Sequence, residues 1–171
     1  PLLLHGPPQI GKTSLLYAAA AANAHVELAW FHLGHSNRER AGVRPILAAV
    51  CAAVQQATIL DVFSFAPAKS SLAPNIDNAS DPYADTERLI RQVSALLAPR
   101  NLILVMDDFD AMAQLFSSQA DLSHFLDFLE HLFQTIKTFN VVFVSQFSPV
   151  LFEEGARHSF ASTARLHQLG P

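Results

Sequence analysis

The feature that most constrains this chain lies at its start, where two glycines and a lysine occur at fixed spacing. After a short apolar run, residues 6–13 read Gly-Pro-Pro-Gln-Ile-Gly-Lys-Thr and match the P-loop pattern G-x-x-x-x-G-K-[ST] at every fixed position. The glycines let the backbone turn tightly, so that successive N–H groups point inward at a phosphate, and the helix that begins near Lys12 adds the positive end of its dipole. The pattern therefore predicts a strand, a phosphate-binding loop and a helix, in that order.

We predict that this loop binds ATP together with Mg²⁺. The Lys12 ammonium is expected to reach the β- and γ-phosphates, and the Thr13 hydroxyl to ligate Mg²⁺. The residues expected to surround the nucleotide are Gly6, Pro7, Pro8, Gln9, Ile10, Gly11, Lys12, Thr13 and Ser14. Two alternatives stay open, namely a Gly/Pro-rich turn that only joins a strand to a helix, and a loop that binds nucleotide without hydrolysing it.

Strand-like and helix-like segments alternate along the rest of the chain. The strand-like runs are residues 2–4, 26–33, 59–65, 102–106, 141–144 and 163–169. The helix-like segments are residues 14–23, a stretch after Pro45, a stretch capped by Asp85, and residues 121–140. Such alternation implies a mostly parallel sheet between two layers of helices, with the ligand at the carboxyl ends of the strands. The fold class expected is therefore a three-layer α/β P-loop NTPase.

Length and composition bound the organisation of the chain. With 171 residues, half of them apolar, there is room for one domain with a sizeable core. We interpret residues 1–171 as a single domain that is a piece of a longer chain, with a flexible Pro- and Ser-rich loop at residues 66–84. The net charge of −4 argues against a nucleic-acid surface that works by charge alone, and no stretch suggests a membrane span. The single cysteine, Cys51, excludes an internal disulfide and fits a reducing, intracellular compartment.

Acidic and amide side chains follow two of the predicted strands. Asp107 and Asp108 come directly after the apolar run 102–106, as in a Walker B motif, and Gln146 follows shortly after the run 141–144. We expect Asp107 to hold Mg²⁺, directly or through water. Asp108 is either a second acid that polarises the attacking water or a turn residue, and Gln146 is placed to sense the γ-phosphate. The candidate catalytic residues are thus Lys12, Asp107, Asp108 and Gln146, and the candidate metal ligands are Thr13 and Asp107.

From the P-loop to the last predicted strand, the chain resembles the ATPase core of RecA-like recombinases, and specifically the short eukaryotic paralogues. The resemblance rests on His-Gly-Pro at residues 5–7, Gly-Lys-Thr-Ser-Leu-Leu-Tyr at 11–17, and a helix running into a strand that ends in Asp107. It also rests on a helix followed by Val-Val-Phe-Val-Ser-Gln at residues 141–146, and on Ala-Ser-Thr-x-Arg-Leu at 161–166.

The resemblance implies an accessory protein of homologous-recombination DNA repair. Such a protein is nuclear and works in a complex that assists loading of the recombinase on single-stranded DNA. Its partners are other recombinase paralogues or a SWIM-type zinc-finger protein. Active family members carry a catalytic Glu just after the second strand, where this sequence has Gly34 and His35, with Glu39 further on. We therefore expect at most weak ATP hydrolysis.

A second interpretation comes from a different class, the AAA+ or STAND-type switch ATPases of origin recognition or signalling. In that class, Asp107 and Asp108 stand in for an Asp-Glu pair, and Ser145 is the polar sensor at the end of a strand. A helical lid beyond Pro171 in the full-length protein would favour this interpretation. A third is a pseudo-ATPase that binds ATP only as a structural ligand, which stabilises the fold in proportion to saturation.

Overall fold

A five-stranded parallel sheet forms the centre of the computed structural model, which describes residues 1–31, 42–59, 74–146 and 165–169. The strands are β1 (Leu2–His5), β2 (Val26–Phe31), β3 (Asn101–Met106), β4 (Phe139–Ser145) and β5 (Arg165–Gln168). The α-helices are α1 (Lys12–Ala21), α2 (Val43–Ile59), α3 (Pro82–Leu97), α4 (Phe109–Ala113) and α5 (Gln119–Thr135), and a short 3₁₀ helix spans Ile76–Asn78. No helix in these ranges is both long and apolar enough to cross a membrane.

The strand order is β2-β3-β4-β1-β5, and every pairing is parallel. In the register, His5 lies beside Ser145 and Met106 lies beside Phe143. The carboxyl ends of β1, β4 and β3 are therefore neighbours at one edge of the sheet. This arrangement confirms the predicted α/β P-loop fold, including the parallel sheet flanked by helices and a last strand at the sheet's edge.

The main core lies between one face of the sheet and the helices α2, α3 and α5. Side chains at alternate positions of the strands point into it, among them Phe31, Leu104 and Phe143, and each is fully buried. They meet apolar residues that recur every three or four positions in the helices, such as Leu89 and Phe125. Cys51 belongs to this core, where burial raises the pKa of its thiol.

Helix α3 begins earlier than the sequence predicts. The Asp81 carboxylate accepts a hydrogen bond from the N–H of Ala84 at 3.0 Å, and Pro82 occupies the first helical turn. An aspartate followed by proline is a strong helix start, because it caps a free N–H and removes another. The cap predicted at Asp85 is therefore wrong by one turn. Leu96 lies on the outer side of α3, where 66% of the residue is exposed.

Three other predicted boundaries differ from the structure. Helix α5 ends at Thr135, whereas the predicted helix runs to residue 140. The prediction was too long because the buried Ile136 and Phe139 keep a helical spacing, although they lie in a turn and in β4. Ile59 ends α2 and does not open a strand; the rest of the run 59–65 lies outside the described residues. The loop predicted at residues 66–84 gives way to the 3₁₀ helix and α3 on its carboxyl side, and its earlier part is likewise outside the description.

Candidate functional site

The two glycines of the P-loop are required for different physical reasons. At Gly6 a Cβ atom would lie 2.5 Å from the carbonyl oxygen of Leu169, which is a clash with backbone that cannot move aside cheaply. Leu169 is held there because its N–H donates to the carbonyl of His5 at 2.9 Å. Gly11 has φ 89° at the start of α1, in the left-handed region that side chains rarely adopt. The loop backbone is thus set by strand β5 at one end and by the helix start at the other.

Lys12 folds back into the loop that precedes it. Its Nζ atom donates to the carbonyl oxygens of Gly6 at 2.7 Å and Pro7 at 2.8 Å, and only 8% of the residue is exposed. No side chain among the described residues caps α1, so its first-turn N–H groups face the loop without a side-chain acceptor. An ammonium and a helix start at the same place form a site suited to a phosphate.

Thr13 joins the P-loop to the end of strand β3. Its Oγ1 atom donates to Oδ2 of Asp107 at 3.0 Å, although the two residues are far apart in sequence. The other carboxylate oxygen of Asp107 accepts from the N–H of Asp108 at 3.0 Å. A hydroxyl next to a carboxylate supplies the oxygen ligands that Mg²⁺ prefers. The residues present therefore fit the predicted magnesium site.

A second set of contacts ties the end of β4 to the turn after β3. Asp108 has φ 51°, a left-handed conformation that aspartate tolerates better than most residues. Its Oδ1 atom accepts from Nε2 of Gln146 at 3.3 Å. Asp110, in the first turn of α4, accepts from Oγ of Ser145 at 2.8 Å and from the N–H of Gln146 at 2.8 Å. Asp110 is not among the site residues predicted from the sequence, although it is the third aspartate of the segment Asp-Asp-Phe-Asp at residues 107–110.

These side chains surround one depression at the edge of the sheet where β1, β3 and β4 end. Its lining consists of Pro8, Gln9, Lys12, Thr13, Asp107, Asp108, Val144, Ser145 and Gln146. Its volume is about 160 Å³. All four candidate catalytic residues and both candidate metal ligands line it. The remaining predicted loop residues, Gly6, Pro7, Ile10, Gly11 and Ser14, lie beside it and do not line it.

The family model for the AAA ATPase domain matches residues 1–144. Because this match covers most of the chain, the protein belongs to the AAA ATPase family. Membership in this family implies a P-loop that binds nucleotide. No curated protein sequence is significantly similar to the chain.

Three solved structures that share the fold come from archaea. The Walker-type ATPase PABY2304 of Pyrococcus abyssi matches with a TM-score of 0.64 at 14% identity, over 89% of this chain and 42% of that one. The ORC2 protein of Aeropyrum pernix, solved with ADPNP and ADP, matches with a TM-score of 0.57 at 16% identity, over 98% and 40%. CDC6P of Pyrobaculum aerophilum matches with a TM-score of 0.52 at 13% identity, over 99% and 38%. The chain thus spans about two fifths of the length of these proteins.

The predicted membership in the RecA-like recombinases is wrong, and with it the role in recombinational repair. The match to the AAA ATPase domain and the likeness to Cdc6 and ORC proteins overturn both. RecA-like recombinases and AAA ATPases share the P-loop, the buried strand before Asp107 and the strand before Gln146. These features therefore do not distinguish the two families. The expected recombinase and zinc-finger partners, single-stranded DNA and a nuclear location came with that resemblance, and they stay predictions without its support.

Proposed function

We propose that this domain binds Mg-ATP in the depression between the P-loop and strand β3, and that it acts as a nucleotide-dependent switch of the AAA type. The observation that carries the proposal is the contact between Thr13 and Asp107 at 3.0 Å, which brings together the predicted metal ligands from the start of α1 and the end of β3. Supporting it, the AAA ATPase family model spans both of these residues.

The chain's own groups divide the work of binding. Lys12 exchanges its two loop carbonyls for phosphate oxygens, which form stronger, charge-assisted hydrogen bonds. The first N–H groups of α1 orient the same phosphates, while Thr13 and Asp107 hold Mg²⁺. When bound, Mg²⁺ neutralises charge on the phosphate oxygens.

Asp108 and Gln146 occupy the side of the depression at which a γ-phosphate is expected. The Asp108 carboxylate is exposed and suited to orient a water molecule, and the Gln146 amide is a donor for a terminal phosphate oxygen. We propose that these two residues make the site respond differently to ATP and ADP. The Cdc6 and ORC structures that share the fold support a switch of this class.

Calorimetric titration with ATP, in the presence and absence of Mg²⁺, tests the proposal. Lys12→Ala should abolish binding or weaken it by several kcal/mol (~2–4), because charge-assisted contacts to phosphate are lost. Lys137→Ala is the matched control, since it removes the same charge at an exposed position away from the depression. ATP affinity close to that of the wild type in Lys12→Ala would contradict the assignment of the P-loop lysine.

Asp107→Asn tests the metal site separately. We expect this variant to lose the dependence of ATP binding on Mg²⁺, because an amide is a weaker ligand than a carboxylate for a hard cation. An unchanged response to Mg²⁺ would transfer the metal ligand to Asp108. Steady-state phosphate release by the same proteins then distinguishes a hydrolysing switch from a protein that uses ATP only as a structural ligand.

A further inference from the structure

The Asp110 carboxylate forms several hydrogen bonds with residues at the end of β4. Both of its carboxylate oxygens accept from Oγ of Ser145, at 2.8 and 3.0 Å, and Oδ2 also accepts from the N–H of Gln146 at 2.8 Å. Asp110 itself does not line the depression, whereas Ser145 and Gln146 do. Its carboxylate is therefore placed to act on the site through its neighbours.

The contacts fix the point from which the Gln146 side chain departs. The N–H bonded to Asp110 belongs to the same residue whose Nε2 donates to Asp108 at 3.3 Å. Ser145, which is 4% exposed, keeps the strand end in register beside His5 at the root of the P-loop. The Asp110 carboxylate thus links the end of β4, which pairs with β1, to the segment that follows Asp107 and Asp108.

We propose that Asp110 is a positioning residue, which sets where Gln146 presents its amide and thereby how strongly the site favours ATP over ADP. The inference rests on the proposed function. An amide held only by its own flexible side chain has many orientations, and a fixed backbone removes part of the entropy cost of forming one hydrogen bond with a phosphate oxygen. Asp110 contributes by fixing that backbone and touches no ligand.

The test measures ATP and ADP affinities, each with Mg²⁺, by calorimetry for the wild type, Asp110→Asn, Gln146→Ala and the double variant. In Asp110→Asn the negative charge is lost and an NH2 donor replaces one acceptor oxygen, so the charge-assisted hydrogen bonds that hold Ser145 and the Gln146 N–H become weaker neutral ones. We expect ATP affinity to fall about tenfold and ADP affinity to stay within about twofold, as for loss of one hydrogen bond to a charged group. In the double variant, Asp110→Asn should add nothing to Gln146→Ala, because the two act through one contact.

Several outcomes would overturn the inference. They are an equal loss of ATP and ADP affinity, additive effects of the two substitutions, or an unchanged ATP preference in Gln146→Ala. If the wild type itself binds no ATP, the proposed function fails instead. Thermal unfolding of the ligand-free variants shows whether Asp110→Asn folds, and Ser145→Ala replaces it if it does not. Ser145→Ala removes the hydroxyl bonds and keeps the backbone bond, so we expect a smaller fall in ATP affinity, and no fall would also count against Asp110.

Discussion

The two faces of the sheet differ sharply in how they are packed. The main face, which is covered by α2, α3 and α5, buries residues from four strands and contains large aromatic side chains such as Phe31 and Phe125. The P-loop face, covered by α1, has only three buried residues in its cluster among those described, Val105, Val142 and Val144.

After its polar first residues, helix α1 carries only apolar residues and tyrosine, and much of this part is exposed. Leu15 and Tyr17 are 48% and 52% exposed, and Tyr17 stacks on Trp30 with ring centroids 4.3 Å apart. Its run of alanines has a high intrinsic helix propensity, which favours the helix independently of packing against the sheet. We therefore expect the main face to supply most of the folding free energy, whereas the P-loop face holds Lys12 and Thr13 for binding.

The largest effect is expected on the main face. Phe125→Ala should lower the free energy of unfolding by about 3–5 kcal/mol, because it removes a fully buried aromatic ring and leaves a cavity. Urea denaturation followed by circular dichroism measures it. A loss below ~1 kcal/mol would mean that stability does not reside in this core.

Ligand binding should add stability from the other face. At an ATP concentration one hundred times Kd, with Mg²⁺, we expect unfolding to cost about 2.7 kcal/mol more, as mass action requires. Lys12→Ala should lose this gain, while Phe125→Ala should keep it on a lower baseline. A gain that survives Lys12→Ala would show that the nucleotide binds elsewhere.

On the P-loop face, packing substitutions should be mild. Tyr17→Ala removes the stack on Trp30, which is worth about 0.5–1.5 kcal/mol beyond buried area. Leu15→Ala, on the same helix and similarly exposed, should stay within about 0.5 kcal/mol and serves as its control. A loss from Tyr17→Ala as large as that from Phe125→Ala would remove the contrast between the faces.

The smallest effect at pH 7 is expected at Tyr83, which packs against His124 and Phe128 between α3 and α5. Burial, with a smaller contribution from the nearby Asp121 charge, raises the pKa of its hydroxyl to about 12. Between about pH 10 and 12 the unfolded chain therefore releases this proton and the folded one keeps it, so stability falls as pH rises.

Tyr83→Phe should make this decline shallower, as measured by urea denaturation across the same pH range. At pH 7 the substitution should cost little, because the Tyr83 hydroxyl is buried with no hydrogen-bond partner among the described residues. Tyr17→Phe, at an exposed tyrosine, should leave the decline as it is. An equal slope in Tyr83→Phe and wild type would refute the assignment.

Local chemistry explains which parts of the fold were predictable. Continuous apolar runs such as residues 102–106 and 141–144 identify buried parallel strands, and the P-loop spacing identifies the phosphate site. The end of α5 was not predictable, because Ile136 and Phe139 keep a helical spacing although they belong to a turn and a strand. The spacing of apolar residues indicates that a residue is buried, but it does not show whether that residue lies in a helix, a turn or a strand.

The candidate site was predictable only where sequence spacing encodes it. Asp107 was found because it ends an apolar run, and the structure places it 3.0 Å from Thr13. Asp110 was missed because its partners Ser145 and Gln146 lie on another strand, and no local pattern records such a contact. The family was predicted wrongly for a different reason, because most of the motifs that carried the resemblance belong to the ATP-binding edge that both classes share.

The approach of Leu169 to Gly6 bears on how this domain can be shortened or rebuilt. A designer who ended the chain after β4 would keep every motif of the ATP-binding edge and lose β5 and Leu169, whose carbonyl oxygen would clash with a Cβ atom at position 6. In such a fragment, the Cβ atom of an alanine at position 6 would not clash with the Leu169 carbonyl. The P-loop would also lose its contact with Leu169. The conformation of the eight-residue P-loop thus depends on Leu169, a residue distant in the sequence.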